Sequence, residues 1–87
     1  MPGYCVVRFN LDTRGRPSII FPSCSHPVFC SSAAAAIEAS RFMPARRDGK
    51  IVARTNIVYP LEYKFYGMPD IDWSQYQLED CVDALIS

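Results

Sequence analysis

The feature that most constrains the fold is an alternation of apolar and polar residues from Lys50 to Tyr66. Successive side chains of a β-strand point to opposite faces, so this period of two predicts one long amphipathic strand. Pro60 has no N–H to donate to a central ladder, which places the strand at a sheet edge or bends it there. Because shorter strands cannot cover such a length, we expect part of its backbone to be free for another chain. Its apolar face consists of Ile51, Ala53, Thr55, Ile57, Tyr59, Leu61, Tyr63 and Phe65.

A second alternation predicts a half-buried strand from Tyr4 to Leu11. The segment Asp12–Gly15 follows, and it offers an Asx-type start and a glycine that can take a positive φ. The β-rich run Ser18–Phe21 comes next, so we predict a tight hairpin whose second strand ends at Pro22. The core face of the first strand is predicted to hold Cys5, Val7, Phe9 and Leu11.

Residues Cys30 to Arg41 are predicted to form a helix, because the run Ala33–Ala36 has the highest helix propensity and Pro44 stops the pattern. Small side chains on the packing face let such a helix lie close to a sheet. The residues near one stripe are Phe29, Ala33, Ala36, Ile37 and Ser40.

The spacing of large side chains predicts a second helix from Trp73 to Ile86, with Asp72 or Ser74 as its N-cap. We expect apolar contact to dock this helix on the rest of the domain, since each buried large side chain contributes about 1.5–3 kcal/mol and an exposed ion pair about 0–1 kcal/mol. The docking residues are predicted to be Trp73, Tyr76, Val82 and Leu85.

Charge is balanced overall but divided along the chain. Nine Lys and Arg against nine Asp and Glu give a net charge of zero in 87 residues, so no global basic field attracts nucleic acid. Residues 1–66 hold all nine basic residues and four acids, and residues 67–87 hold five acids and no base. The acidic tail is therefore either a solvated segment or one that docks on the body partly through charge.

Length and composition allow one small folded domain, with 49% hydrophobic and 21% charged residues. No apolar stretch is long enough to span a bilayer, and the first residues resemble no export signal. Four cysteines in so short a chain favour disulfides and an oxidising compartment. These two observations agree if the chain is a piece of a longer exported protein.

The cysteine spacing predicts two disulfides. A hairpin that turns about Arg14 and Gly15 places Cys5 opposite Cys24, which gives the first pair. A bond from Cys30, at the start of the helix, to Cys81 would then tie the tail to the body. Four cysteines permit three connectivities, and the sequence alone leaves all three open.

Candidate chemical groups are few. His26 lies near Cys24 and Cys30 in sequence, but the spacing fits neither a nucleophile with an oriented base nor a usual zinc site. Asp70 and Asp72 lack the oxygen-rich repeat of a calcium loop. We therefore expect no enzyme activity, no metal and no cofactor. A basic cluster is read as a solvated face in preference to a phosphate-binding patch, and it comprises Arg41, Arg46, Arg47, Lys50 and Arg54.

An ordered set of short motifs covers residues 4–66. Its parts are the hairpin Val7–Gly15, the turn Ser23–Ser25, Phe29 ahead of an Ala-rich helix, the stop Arg41–Ala45, the strand start Gly49–Val52 and the strand Val58–Phe65. No single motif is specific, but the ordered set resembles the C-terminal domain of TonB-type energy transducers.

The resemblance implies an α+β fold of the ββαβ type, with one helix packed on a three-stranded antiparallel sheet. Residues 1–66 would form this domain, and residues 67–87 would form a docked, helical C-terminal extension. It also implies a periplasmic domain that grips the N-terminal segment of an outer-membrane receptor by β-strand addition. The residues that would bind the peptide are Asn56, Ile57, Val58, Tyr59, Pro60, Leu61, Glu62 and Tyr63.

The sequence departs from the family pattern in three places. Ser40 stands where the family commonly has Trp, the anchoring helix and proline-rich spacer are absent, and the acidic tail has no counterpart. Inner-membrane motor proteins would therefore be reached only through a missing N-terminal part. The alternative function is an envelope assembly module that uses the same fold for scaffolding or as a homodimer, without receptors.

Overall fold

The computed structural model describes residues 2–86, which form an antiparallel sheet with a helix on one face. The four-stranded sheet has the order β5-β1-β2-β6, and β3 pairs only with β4. Single 3-10 turns occupy Pro27–Phe29, Trp73–Gln75 and Val82–Ala84. The regular elements are β1 (Gly3–Leu11), β2 (Pro17–Cys24), α1 (Cys30–Ala39), β3 (Ala45–Arg47), β4 (Lys50–Val52), β5 (Arg54–Tyr63) and β6 (Glu79–Asp80).

Strand β1 lies between β2 and β5 and supplies most of the core from the strand side. Its alternation is confirmed, since Cys5, Val7, Phe9 and Leu11 are all buried. Strand β2 continues through Pro22, so the prediction that it ends there is wrong. The reason is geometric: the backbone of Pro22 faces away from β1, where its missing N–H removes no bond between these two strands.

Helix α1 packs on the sheet through small side chains, as the sequence predicts. Its buried residues are Ala33, Ala34 and Ile37, which lie three, four and seven positions after Cys30. Ala36, which the sequence pattern predicts on the packing face, is exposed. The helix ends at Ala39, two residues earlier than predicted, because Ser40 already has an extended backbone.

The single strand predicted from Lys50 to Tyr66 is wrong in its first part. Asp48 and Gly49 both have a positive φ, 52° and 78°, which makes a two-residue hairpin between β3 and β4. The strand is interrupted at Ala53, and of the two strands on either side only β5 joins the main sheet. Ile51 therefore remains 44% exposed instead of facing the core.

The tail is docked, but the predicted α-helix from Trp73 to Ile86 does not form. Its backbone groups bond to β2 instead: Ile20 and Ile86 exchange two hydrogen bonds of 2.6 and 3.0 Å, and the Cys81 N–H donates to the Pro22 carbonyl. An extended chain also advances about 3.3 Å per residue against about 1.5 Å in a helix, so a short tail can reach across the sheet. The predicted N-cap Asp72 does accept from the Ser74 N–H, although it caps only a 3-10 turn.

Two of the four predicted docking residues of the tail make contacts, and two do not. Trp73 stacks on Tyr4, with the ring centroids 5.2 Å apart, and Tyr76 packs against Trp73. Val82 and Leu85 are 64% and 51% exposed, so neither anchors the tail. The buried Cys81 contributes to the core, and Ala84 and Ile86 pack against it.

The two disulfides have the predicted pairing, Cys5 with Cys24 and Cys30 with Cys81. The first joins residues that lie directly opposite each other in β1 and β2. The second ties the tail to the first turn of α1. The α+β class with one helix on an antiparallel sheet is thus established, and the tail makes the sheet four-stranded. Among residues 2–86, there is no helix with the length and apolar content needed to cross a bilayer.

Candidate functional site

The two edges of the main sheet differ. At the β2 edge, β6 pairs with Ser23 and Cys24, and the Ser23 hydroxyl donates to the Asp80 carboxylate at 2.8 Å. The Ile20–Ile86 pair closes the same edge further along. At the opposite edge, no strand within residues 2–86 pairs with the outer side of β5. The tail therefore covers one edge and leaves β5 as the open one.

The direction of the β1 backbone decides which groups of β5 are free. The Tyr4 carbonyl accepts from the Ser25 N–H at 2.8 Å, and the Tyr4 N–H donates to the Ser25 hydroxyl. Backbone groups alternate in direction along a strand, so the even-numbered residues of β1 face β2 and the odd-numbered ones face β5. Cys5 and Val7 accordingly bond to Leu61 and Tyr59, which lie opposite them.

The remaining residues of β5 direct their backbone outward. Val58, Pro60 and Glu62 lie opposite the even-numbered residues of β1, in pairs without ladder hydrogen bonds. The open edge thus offers three carbonyls but only two N–H donors, because Pro60 has none. The Pro60 nitrogen faces solvent, so its lack of a hydrogen removes no hydrogen bond from the sheet.

Asn56 does not belong to this open edge in the way the sequence predicts. Its N–H donates to the side chain of Asn10 at 3.0 Å, and its φ is 56°. It lies in the irregular part of the ladder, where the register shifts between Phe9 and Leu11. The usable edge therefore runs from Ile57 to Tyr63.

Aromatic packing fixes β5 from the helix side of the sheet. Phe29 stacks on Tyr63 with centroids 4.4 Å apart, and Phe42 meets Tyr59 edge-on at 5.8 Å. Ile57, Leu61 and Tyr63 pack against the core. The strand is thus held rigidly while its outer backbone stays accessible. Apolar side chains exposed on and just beyond the strand are Val58, Tyr59, Phe65 and Tyr66.

The tail also contacts β5 beside its open edge. Glu62 accepts a hydrogen bond of 2.6 Å from Trp73 Nε1 and lies 4.0 Å from the Lys64 ammonium. Lys64 in turn pairs with Asp70 at 3.2 Å. These contacts fix the Glu62 and Lys64 side chains next to a cleft of about 310 Å³ at the end of the strand. A bound peptide would meet alternating charge there.

The groups weighed for catalysis or metal binding lie elsewhere. His26 Nδ1 is 3.1 Å from the Ser25 hydroxyl, and its ring meets Phe29 edge-on. The sulfur atoms of Cys24, Cys30 and Cys81 lie within 4.8 Å of one another, but each belongs to a disulfide. In this oxidised state they offer neither a nucleophile nor a thiolate ligand.

Two carboxylates outside the edge have shifted pKa values. The backbone N–H of Arg16, then that of Arg14, holds the pKa of Asp12 below its ordinary value. The hydroxyl and the N–H of Ser74 do the same for the pKa of Asp72. Both groups are exposed and organise turns. Asp72 thereby fixes the 3-10 turn that presents Trp73 to Tyr4.

Comparisons of the chain with protein-family models, with curated proteins and with solved structures found no match. The open β5 edge, its rigid backing and the tail on the opposite edge are therefore the features from which a function can be inferred.

Proposed function

We propose that this chain is a periplasmic peptide-binding domain of the type found at the C-terminus of TonB-like energy transducers. It would bind the N-terminal segment of an outer-membrane receptor by adding that segment to the open edge of β5. One observation carries the proposal: the tail closes the β2 edge by backbone pairing, while β5 keeps an unpaired outer backbone.

An exposed edge strand promotes unwanted pairing, and folded proteins usually cover or blunt it. Here the structure covers one edge with its own tail and ties that tail down with the Cys30–Cys81 disulfide. The β5 edge is only blunted, by Pro60 and by Lys64 beyond its end. Selective covering of one edge is the arrangement expected of a domain that uses the other for binding.

The groups on β5 fit an extended peptide. The N–H groups of Val58 and Glu62 lie four residues apart, about 13 Å along the strand, so a short segment can span both. Backbone bonds would supply affinity, and the exposed Val58 and Tyr59 side chains, which lie on opposite faces of the sheet, would each select an apolar peptide residue on their own face.

The order of elements supports the transducer type. A ββαβ core would be built from the β1–β2 hairpin, helix α1 and the returning strand β5, with β1 in the centre and the β3–β4 hairpin inserted before β5. Two disulfides favour an oxidising compartment, which agrees with a periplasmic location.

The same edge could also pair with a second copy of this chain, as in the alternative envelope module. The open β5 backbone supports both occupants, so the experiment has to separate them. Sedimentation velocity of the isolated domain between micromolar and millimolar concentration gives its oligomeric state without peptide. A monomer over this range favours the peptide, and a dimer sensitive to Val58→Pro favours the alternative.

The direct test is an NMR titration of the labelled domain with synthetic peptides from the N-terminal segments of outer-membrane receptors of the same organism. Amide shifts are expected at residues 57–63 other than Pro60 and, through the ladder, in β1. Val58→Pro deletes one outward N–H and should weaken binding about fivefold or more, the worth of one hydrogen bond. Shifts confined to residues 41–50, or none with any peptide, would contradict the proposal.

A further inference from the structure

Most basic residues of the protein lie at one end of the sheet. The turn between β1 and β2 contacts the segment after α1, because the Phe42 N–H donates to the Gly15 carbonyl at 2.9 Å. Leu11, the last residue of β1, lies opposite Arg54, the first residue of β5. Residues 12–16 and 41–54 therefore meet at the same end, which we call the basic end.

The basic end has a large uncompensated charge. It holds seven of the nine Lys and Arg and only two acids, for a local net charge of +5. The Asp12 carboxylate accepts hydrogen bonds from two backbone N–H groups and forms no salt bridge within residues 2–86. The only cation in a salt bridge among the described residues is Lys64, which lies outside this region. The seven are Arg14, Arg16, Arg41, Arg46, Arg47, Lys50 and Arg54.

The β3–β4 hairpin gathers cations where they repel each other. Arg47 and Lys50 lie directly opposite in the ladder, an arrangement that destabilises an isolated hairpin. This hairpin pairs with no strand of the main sheet, and every residue from 46 to 51 is exposed. Such a pair becomes favourable when an anion lies against both cations.

A cleft beside this hairpin can receive anionic groups. Its volume is about 460 Å³, and Arg46, Arg47 and Arg54 line it together with short side chains. Guanidinium groups bind phosphate through paired N–H donors. The cleft has no neighbouring carboxylate among its lining residues to compete for them.

Exposed apolar side chains accompany these cations. Met43, two residues ahead of β3, is 91% exposed, and Ile51 is 44% exposed on the same face of the hairpin as Arg46. Basic residues beside protruding apolar ones suit the boundary between lipid headgroups and acyl chains. Single-stranded nucleic acid would favour exposed aromatic platforms instead, and the one aromatic residue of the basic end, Phe42, is half-buried against Phe9 and Tyr59.

We infer that the basic end docks on a membrane surface rich in anionic phospholipid. The cations contact the headgroup phosphates, and Met43 and Ile51 insert at the boundary with the acyl chains. This inference does not depend on the proposed function. Because β5 runs from Arg54 to Tyr63, its far end would point away from the bilayer, together with Asp70 and Asp80, which contact Lys64 and Ser23. The open edge would stay accessible.

The test is co-sedimentation of the full chain with vesicles of phosphatidylcholine containing 30% phosphatidylglycerol, against pure phosphatidylcholine. Binding is expected only to the anionic vesicles and should weaken as salt rises, since charges are screened beyond about 8 Å at physiological ionic strength. Arg47→Gln/Lys50→Gln should weaken it about 25-fold, at roughly fivefold for each basic residue lost near the surface.

The matched control is Arg8→Gln/Lys64→Gln, which removes two cations away from the basic end and should leave vesicle binding unchanged. Since Arg47→Gln/Lys50→Gln relieves repulsion, its melting temperature should not fall, and a loss of binding then cannot come from unfolding. Met43→Ser should weaken vesicle binding. It should leave binding to heparin unaltered, because heparin is a polyanion without acyl chains and reports on charge alone. Equal losses in both double variants, equal binding to neutral vesicles, or no effect of Met43→Ser would each overturn the inference.

Discussion

Val6 and Pro60 lie opposite each other in a pair that makes no ladder hydrogen bonds. The backbone of Val6 faces β2, so the ring nitrogen of Pro60 faces solvent on the outer side of β5. Pro22 occupies the equivalent outward position on β2, where its carbonyl accepts from Cys81. Both strands that flank β1 thus place a proline with its nitrogen facing away from β1, where the missing N–H removes no bond to β1.

The alternation of backbone direction predicts opposite effects for prolines at neighbouring positions of β5. Val58→Pro removes an outward N–H and should change the free energy of unfolding by less than about 1 kcal/mol. Tyr59→Pro removes a bond to β1 and should cost clearly more, beyond the loss measured for Tyr59→Ala. Urea denaturation of the three variants checks this. Equal costs at both positions would contradict the assigned edge.

Removal of the tail should open the second edge. A chain ending at Tyr66, with Cys30→Ser to avoid a free thiol, is expected to melt at a lower temperature and to self-associate through β2. The control is full-length Cys30→Ser/Cys81→Ser, which loses a crosslink over 51 residues, worth about 4 kcal/mol, but keeps the tail. Sedimentation velocity should show association in the truncated chain alone.

Gly15 and Gly49 form a natural comparison for glycine substitution. Both have a positive φ, 79° and 78°, but a Cβ at Gly15 would collide with the Phe42 carbonyl, whereas Gly49 has no neighbour within 4 Å. Gly49→Ala should cost about 1 kcal/mol, and Gly15→Ala should exceed it by about 1–3 kcal/mol. Thermal unfolding followed by circular dichroism measures both. Equal costs would mean that the β1–β2 turn does not rest on Phe42.

Trp73 should anchor the tail, and Leu85 should not. Trp73→Ala removes the stacking on Tyr4 and the hydrogen bond to Glu62, for an expected loss of about 2 kcal/mol. Leu85 is 51% exposed, so Leu85→Ala should lower the free energy of unfolding by less than about 0.5 kcal/mol. Trp73→Phe keeps the stacking and isolates the hydrogen bond. A larger effect at Leu85 than at Trp73 in urea denaturation would contradict this docking of the tail.

The lowered pKa of Asp12 gives a pH dependence of stability with a definite sign. A carboxyl whose pKa falls on folding stabilises the folded state above its unfolded value near 3.8, and this contribution is lost as pH decreases through the folded value. Asp12→Asn should therefore be less sensitive to acid below about pH 4 than the wild-type protein. Carboxyl-detected NMR should place the Asp12 midpoint below 3.8. A midpoint above it would exclude the backbone bonds to Arg14 and Arg16.

Local patterns predicted the parts of the fold that depend on neighbours in sequence. The alternation in β1, the turn at Gly15 and the opposition of Cys5 and Cys24 follow from a period of two and a short hairpin. The hairpin between β3 and β4 had a signal as well, since Asp48 and Gly49 are typical of a two-residue turn. The continuous alternation through Ala53 concealed it.

The missed features depend on contacts that are distant in sequence. The spacing of Trp73, Tyr76 and Cys81 is compatible with a helix. Backbone pairing with β2 and the disulfide to α1 instead hold this segment in an extended conformation. The alternation also predicts Asn56 in the binding edge, because a bulge in the ladder leaves no mark on an alternating sequence. The proline at position 22 was the available signal that β2 has an outer side to be covered.

The covalent connections of the two disulfides determine how the domain would respond to a mechanical pull. Tension applied between residues 2 and 86 passes from Cys5 to Cys24, along the chain to Cys30, and then to Cys81. Residues 31–80 lie in the bypassed loop, which includes all of β5. A stretching force can therefore straighten the two ends and the short link at residues 24–30, but it cannot extend the strand that would hold a peptide.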